Sequence, residues 1–323
     1  MAVRVLVTGA SGFVGSRVAS RLAEAAQSSQ ITIRTLTHQR TVRLVGFTGG
    51  AEGAGFAAET VHADITSPDS LRGICDGVDV VLHLAARFSG DFDHCYAVNV
   101  DGTRALLAEA AKAGVQRVVQ LSTTAVYRDG VHAGAAESQL EVGPVSAASR
   151  TRLTAEELAL AAGGVVLRPH LVYGSGDVWV IPALAAALRR IPHWIDGARN
   201  RVSMVAVDDL AAAIVRLALI GGDLPFAGRV LHASHPHPLV MRDVLTQVAG
   251  ALQIPLPQGD IAAADALRLL GDEDDPAARR RMSLLSVDHW YDSSLLWKVT
   301  GCPPAPGFGQ RFAQYAEWYR EHL

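Results

Sequence analysis

The stretch that constrains this chain most is Thr8-Gly9-Ala10-Ser11-Gly12-Phe13-Val14-Gly15. It lies between a short apolar run, Val3 to Val7 interrupted by Arg4, and a segment, Gly12 to Ala26, in which Val14, Val18 and Leu22 recur at helical spacing. A strand, a three-glycine turn and a helix, in that order, make a phosphate-binding unit. The first glycine permits the tight turn, the second lets backbone approach a pyrophosphate, and the third lets the helix pack on the sheet. The helix N-terminus offers unpaired N–H groups and a positive dipole end to the anion. The spacing is G-x-x-G-x-x-G, so the flanking strand and helix carry the assignment as much as the glycines do.

Downstream the pattern repeats. Ile31–Thr37, Thr60–Ala63, Asp79–Leu84, Gln116–Ser122 and Val165–Arg168 read as strands. Phe92–Ala113 and Ser149–Ala162 read as helices between them. Such alternation predicts an α/β chain with a Rossmann-type doubly wound parallel sheet. The remainder is less regular. It predicts helices at Val178–Arg190, Asp208–Ile220, Met241–Leu252 and Phe312–Leu323, and a strand at Arg229–Ala233. The expected organisation is a nucleotide-binding domain over 1–175, completed by part of 201–235, and a smaller substrate-binding lobe over 176–323. No long linker or internal repeat separates them.

Composition removes several classes. The 323 residues carry 29 basic and 32 acidic side chains, so no basic excess exists to track a nucleic acid. No run of 18 uncharged apolar residues predicts a membrane span, and the opening residues are too short for a signal segment. Cys75, Cys95 and Cys302 form no C-x-x-C, which argues against a disulfide scaffold and fits a reducing cytoplasm. His232, His235 and His237 lie beside Pro236 and Pro238, the mark of a loop rather than of a zinc site. No metal is expected.

The end of the second strand, Thr35 to Arg43, holds no Asp or Glu to bond a ribose 2′-hydroxyl. Basic groups crowd it instead. A 2′-phosphate gains charge-assisted hydrogen bonds there, so the expected cofactor is NADPH, contacted by His38 and Arg40, with NADH as the alternative.

Further motifs accompany these: His62-Ala63-Asp64-Ile65-Thr66, His83-Leu84-Ala85-Ala86, Asn99-Val100-Asp101-Gly102-Thr103, Leu121-Ser122-Thr123-Thr124-Ala125-Val126-Tyr127, Leu167-Arg168-Pro169-His170-Leu171-Val172-Tyr173-Gly174 and Val205-Ala206-Val207-Asp208-Asp209-Leu210. With the glycine loop they make the chain resemble the extended and atypical short-chain dehydrogenase/reductases, the NAD-dependent epimerase/dehydratase-like group that also includes ketone reductases. The resemblance implies that Ser11, Phe13 and Val14 join the glycines at the cofactor, and that Asp64 and Ile65 meet the adenine. It implies that Leu84, Ala85 and Ala86 line the cofactor channel with Asn99 and Leu121. Pro169, His170 and Val172 should lie near the nicotinamide.

That group works with a Tyr-x-x-x-Lys pair and an upstream Ser or Thr. Anchoring Pro144 and Ala155-Glu156 on the group's pattern puts Ala148 at the tyrosine position and Arg152 at the lysine position. Alanine does no acid–base chemistry, and arginine does not release its proton. Thr123 and Ser122 remain as groups able to polarise a carbonyl, with Arg152 toward the ribose. Tyr127 and Tyr173 occupy positions of ordinary structural tyrosines. One reading is an NADPH-dependent ketoreductase whose substrate supplies its own assistance: an aromatic, polyketide-like ketone hydrogen-bonded by a neighbouring phenol, as in angucyclinones of antibiotic biosynthesis. Arg87, Trp179, His193, Trp194 and Met204 are the expected substrate contacts. The other readings are a non-catalytic NADP-binding sensor and a sugar-nucleotide epimerase or dehydratase. Oligomeric state is left open.

Overall fold

The structure is a computed structural model that describes residues 3–38, 58–222, 227–303 and 305–323. Its strands, in chain order, begin with β1 (Val3–Thr8), β2 (Ile31–Thr37), β3 (Ala58–His62), β4 (Val80–His83), β5 (Arg117–Leu121), β6 (His132–Ala135), β7 (Val165–Arg168) and β8 (Leu171–Tyr173). A seven-stranded sheet runs in the order Val230–His232, β7, β5, β4, β1, β2, β3, and its neighbours are all parallel. Strands covered on both faces need unbroken apolar runs, and Val5, Leu6, Val7, Val81 and Leu82 are each buried.

Helix α1 (Phe13–Ala26) lays Val18, Leu22 and Ala23 on the sheet and packs beside the helix Val207–Leu219. The order of strands reverses between β1 and β4. That switch point opens a crevice at their C-terminal ends, where ligands of this architecture bind. The strand Val230–His232 reaches the sheet from the second half of the sequence.

The expected long helix over Phe92–Ala113 is three pieces: α2 (Phe92–Tyr96), a π-helical turn over Ala97–Asp101, and α3 (Gly102–Ala113). The π turn centres on Asn99, whose side chain bonds outside the helix, as such insertions commonly do at working sites. Helix α4 (Ala147–Ala161) starts at a capping box made by Ser146 and Ser149.

A second core lies under α5 (Val180–Arg190) and the helix Met241–Leu252, with Ile181, Met241, Val248 and Tyr319 buried in it. A four-stranded mixed sheet, in the order Leu239–Val240, Arg201–Val202, His289–Tyr291, β6, joins the two halves. Two further helices follow, Ala263–Leu270 and Pro276–Ser286, the second capped by the Asp275 carboxylate on the Ala277 amide. The expected terminal helix is two, Phe308–Ala313 and Ala316–His322. Among the described residues no helix is long and apolar enough to cross a membrane.

Candidate active site

The glycine loop leaves β1 at Thr8 and turns at Gly9, whose φ is +70°. A Cβ on Gly9 would stand 2.6 Å from the Ala85 nitrogen, and one on Gly15 would stand 2.0 Å from the Gly9 oxygen. Those two glycines are required by the protein's own packing. Gly12 has a different reason, because a Cβ there would meet no atom closer than the Gly9 oxygen at 3.2 Å. Gly12 is also the N-cap of α1 and supplies no side-chain cap, so the first-turn amides keep their donors for a ligand. No acid stands in that first turn to compete with an anion. The cradle therefore fits a dinucleotide pyrophosphate.

Two straps hold the crevice walls. In the first, Thr103 donates to the Asn99 carbonyl (2.6 Å), so its oxygen accepts His83 Nε2–H (2.8 Å). His83 Nδ1 then accepts the Thr8 hydroxyl (2.8 Å), and the Thr8 oxygen receives the Ala85 amide (3.3 Å). Burial keeps His83 neutral, pushing its pKa down to about 4. In the second, Asn99 accepts the Arg87 amide (2.7 Å) and donates to the Arg87 carbonyl (3.0 Å) and the Thr151 hydroxyl (2.9 Å). Asn99 thus ties the segment after β4 to α4, and its polar atoms are engaged within the protein.

Arg152, on α4, is buried against the end of β5. It donates to the Leu121 carbonyl (2.9 Å), and its guanidinium lies 5.3 Å from the Phe88 ring centroid. Burial lowers its pKa to about 10, against the pull of Glu156, so it stays cationic at neutral pH. Ser122 faces inward and donates to Glu156, which is fully buried and paired with Arg168. Thr123 faces the other way. Its oxygen accepts the Ala125 amide (3.1 Å), which leaves its O–H to donate elsewhere.

Thr123 lines a cavity of about 170 Å³ together with Thr124, Tyr127, His170, Arg280, His289 and Tyr291. His132 lies on the same wall. Sequence reasoning missed this cluster of imidazoles and phenols, because its members come from segments far apart in the chain. Tyr127 donates to His232 Nε2 (2.6 Å), whose Nδ1–H reaches the Asp292 carbonyl (3.1 Å). His235 bonds the Ala305 carbonyl through Nε2 (3.1 Å). Tyr173 is buried in the second core, in contact with Phe308 and Tyr315.

The other expected site residues divide. Leu84, Ala85 and Ala86 follow β4 at the crevice, and Pro169 and Val172 lie on the segment joining β7 to β8 and on β8 itself. Asp64 accepts the Thr66 amide and hydroxyl (2.9 and 2.7 Å) and stands 3.6 Å from His38. Ile65 packs under Gly102. Arg40 lies outside the described residues. Of the expected substrate contacts, Arg87 and Trp179 are exposed and His193 bonds the Gln258 carbonyl (2.7 Å) at the surface. Trp194 and Met204 belong to the second core, with Arg242 over the Trp194 ring at 4.4 Å. Large apolar side chains serve core and cavity alike, and here they serve the core.

Comparison with known proteins places this geometry. The model of the NAD dependent epimerase/dehydratase family matches residues 5–221. The chain is 27% identical over 316 residues to 2-alkyl-3-oxoalkanoate reductase of Stenotrophomonas maltophilia (strain K279a), covering 90% of this chain and 91% of that one. It is 28% identical over 282 residues to 4-hydroxy-2-methyl-3-oxo-4-farnesyl-3,4-dihydroquinoline-1-oxide ketoreductase of Stigmatella aurantiaca, covering 84% and 80%. Among solved structures, MoeE5 in complex with UDP-glucose and NAD has a TM-score of 0.70 at 23% identity, over 99% of both chains. The same protein is also solved with UDP-glucuronic acid and NAD. The expectation of a free aromatic ketone as partner is corrected by these structures, in which the fold holds nucleotide sugars. The fold and the relatives are those of NAD(P)-binding enzymes acting on CH–OH and C=O groups, which sets the sensor reading aside. The chain belongs to the NAD dependent epimerase/dehydratase family.

Proposed function

We propose that this chain interconverts a secondary alcohol and its ketone with net turnover of a nicotinamide cofactor. The observation that carries the reading is Thr123, whose hydroxyl proton is left free by the Ala125 amide and whose side chain lines the 170 Å³ cavity. When bound, the nicotinamide supplies or accepts the hydride. Gly9, Ser11, Gly12, Phe13, Val14 and Gly15 hold the pyrophosphate. Thr123 donates to the substrate oxygen, and Arg152 adds a fixed positive charge at the inner end of the crevice. Ser122 holds the Glu156 carboxylate in place behind it. The two curated relatives, named as reductases of a 3-oxoalkanoate and of a 3-oxo quinoline oxide, support net reduction.

A second reading, nucleotide-sugar epimerisation or dehydration, is favoured by the family match and by the ligands of MoeE5. It requires a group that removes a hydroxyl proton, and Ala148 does not supply one. The two are separated by offering a 2-alkyl-3-oxoalkanoate, UDP-glucose and UDP-glucuronic acid with reduced cofactor. Absorbance loss with the keto acid supports the first. A rearranged sugar without net cofactor change supports the second. Tight cofactor binding with neither outcome overturns both.

For the cofactor we propose NADPH over NADH. The end of β2 carries no acid, and His38 follows it. MoeE5 holds NAD, so the preference belongs to this chain's own residues. Calorimetric titration should give the smaller Kd for NADPH, and His38→Ala should narrow the gap. Equal affinities would remove the assignment.

A further inference from the structure

We propose that the substrate of this site carries a carboxylate close to its ketone, and that Arg280, helped by Ser283, is the group that selects it. The inference rests on the reading that the chain interconverts a secondary alcohol and its ketone. Its basis is a spacing, set by one residue's backbone, between Thr123 and a guanidinium in the same cavity.

Arg280, Ser283 and Leu284 lie on the helix Pro276–Ser286, and all three line the cavity that Thr123 lines. Residues three and four apart share a helix face, so the arginine and the serine are neighbours on it. Other hydroxyls of the cavity are engaged: Tyr127 with His232 (2.6 Å), Thr124 with His170 (2.7 Å) and Tyr291 with His132 (2.8 Å). Ser283 differs, because among the described residues only its backbone carbonyl is bonded, by the Val287 amide. Arg280 uses a single nitrogen. Its Nη2 donates to the Ala125 carbonyl (3.4 Å) and stands 3.2 Å from the Asp129 carboxylate. Among the described residues its Nε and Nη1 make no hydrogen bond.

Ala125 serves as the ruler. Its amide donates to the Thr123 oxygen (3.1 Å), and its carbonyl accepts Arg280. The nitrogen and oxygen of one residue are at most about 3.6 Å apart, so Thr123 Oγ1 and Arg280 Nη2 lie within about 10 Å of each other. In a 3-oxo acid a single carbon separates ketone from carboxylate, which puts their oxygens about 3–5 Å apart. With a hydrogen bond of about 2.8 Å at each end, such a molecule reaches up to about 10 Å. One small acid therefore spans both groups, its ketone at Thr123 and its carboxylate at Arg280 and Ser283.

Charge favours that orientation. Burial holds His132, His170 and His289 below the usual imidazole range, so Arg280 is the cation among the lining residues. The opposing charge is Asp129, whose side chain is 53% exposed against 30% for Arg280. A pair so exposed contributes little, and Asp129 yields the guanidinium to an entering acid at small cost. A methyl ester has the same reach but no charge, and loses the charge-assisted part of the contact.

The test compares an acid with its ester on protein loaded with oxidised cofactor, where a ketone binds and does not react. By calorimetry a 2-alkyl-3-oxoalkanoate should bind at least about tenfold more tightly than its methyl ester. Arg280→Gln keeps a donor and removes the charge. It should weaken the acid about 10- to 100-fold and leave the ester within about threefold, and Arg280→Lys should restore part of the loss. Acid and ester bound alike by the unaltered protein, no binding of either, or a loss in Arg280→Gln shared by both overturns the proposal. Arg280→Gln weakening UDP-glucose and not the keto acid assigns the guanidinium to a diphosphate and overturns the carboxylate. Turnover with reduced cofactor is read separately. Acid and ester reduced with equal kcat/KM overturn the carboxylate site and leave the proposed reaction standing. A binding ratio that collapses in Arg280→Gln, with no turnover on any probe, supports the acid site and removes the reaction.

Discussion

Gly12 and Gly15 make opposite demands on the same loop, and alanine at each position separates fold from binding. At Gly15 the added carbon meets the Gly9 oxygen at 2.0 Å, the Gly9 carbonyl carbon at 2.7 Å and the Ala10 Cα at 3.0 Å. These are backbone atoms, so no rotamer relieves the clash. To restore ordinary contact α1 must retreat by roughly 1.5 Å, which also lifts Val18 and Leu22 from the sheet. Overpacking costs about 1–3 kcal/mol where side chains adjust, and a backbone target puts Gly15→Ala at the upper end, about 3 kcal/mol. At Gly12 the nearest atom to the added carbon is 3.2 Å away and φ is −81°, which alanine tolerates. Gly12→Ala should therefore keep its stability within about 1 kcal/mol of the parent. Its methyl stands where the pyrophosphate must approach, so affinity should fall at least about tenfold, equivalent to roughly 1.4 kcal/mol. Urea unfolding gives the first quantity, and quenching or enhancement of reduced-cofactor fluorescence gives the second. A Gly12→Ala protein that binds NADPH as tightly as the parent would refute the cradle. A Gly15→Ala protein of undiminished stability would refute the packing.

Three further outcomes follow from the buried groups. His83 has a pKa depressed to about 4 by burial, so between pH 6.5 and 4 the unfolded chain binds the proton that the folded one refuses. Stability should be full above pH 6.5 and fall by up to about 3 kcal/mol on the way to pH 4, and His83→Gln should flatten that part of the curve in urea titrations. Glu156→Gln leaves the buried Arg168 guanidinium without its counter-charge and should cost about 3–5 kcal/mol by the same measurement; a loss below about 1 kcal/mol would mean water reaches the pair. Arg152→Gln can keep a bond to the Leu121 carbonyl but removes the charge, so kcat should drop about 10²-fold if the charge acts on the substrate oxygen. An unchanged kcat would make Arg152 a strut.

The nucleotide-binding half is legible in the sequence because its signals are local. Val3–Thr8 alternates with nothing polar but Arg4 and Thr8, and the turn that follows needs its glycines for reasons that a few residues contain. The break of Phe92–Ala113 is not local. Asn99 leaves the helical register to reach Arg87 and Thr151, and neither partner shows in the apolar spacing of the helix. The bridging sheet is hidden for another reason: its strands have two to four residues, too few for a period, and His289 pairs with His132 across most of the second half. Ser122 and Thr123 look equivalent in sequence. What distinguishes them is the extended backbone that continues past the end of β5 and alternates its faces, which sends Ser122 to Glu156 and Thr123 to the cavity. Trp194 and Met204 illustrate the converse, since an apolar side chain carries no mark telling a core from a substrate wall.

The electrostatics of the crevice explain how the loss of a phenol and the change of lysine to arginine belong together. A lysine in such a site lowers the pKa of a neighbouring tyrosine, and with Ala148 there is no tyrosine to tune. Burial holds the nearby imidazoles of His83, His132, His170, His232 and His289 neutral, and it keeps Tyr127 and Tyr291 as phenols. The fixed charges at the inner end are then Arg152, Arg168 and Glu156, two cations against one anion. In the reaction proposed above, that positive excess would offset the negative charge that grows on oxygen during hydride transfer, in either direction. A guanidinium, which keeps its proton even with its pKa drawn down to about 10, makes that excess independent of pH across the neutral range.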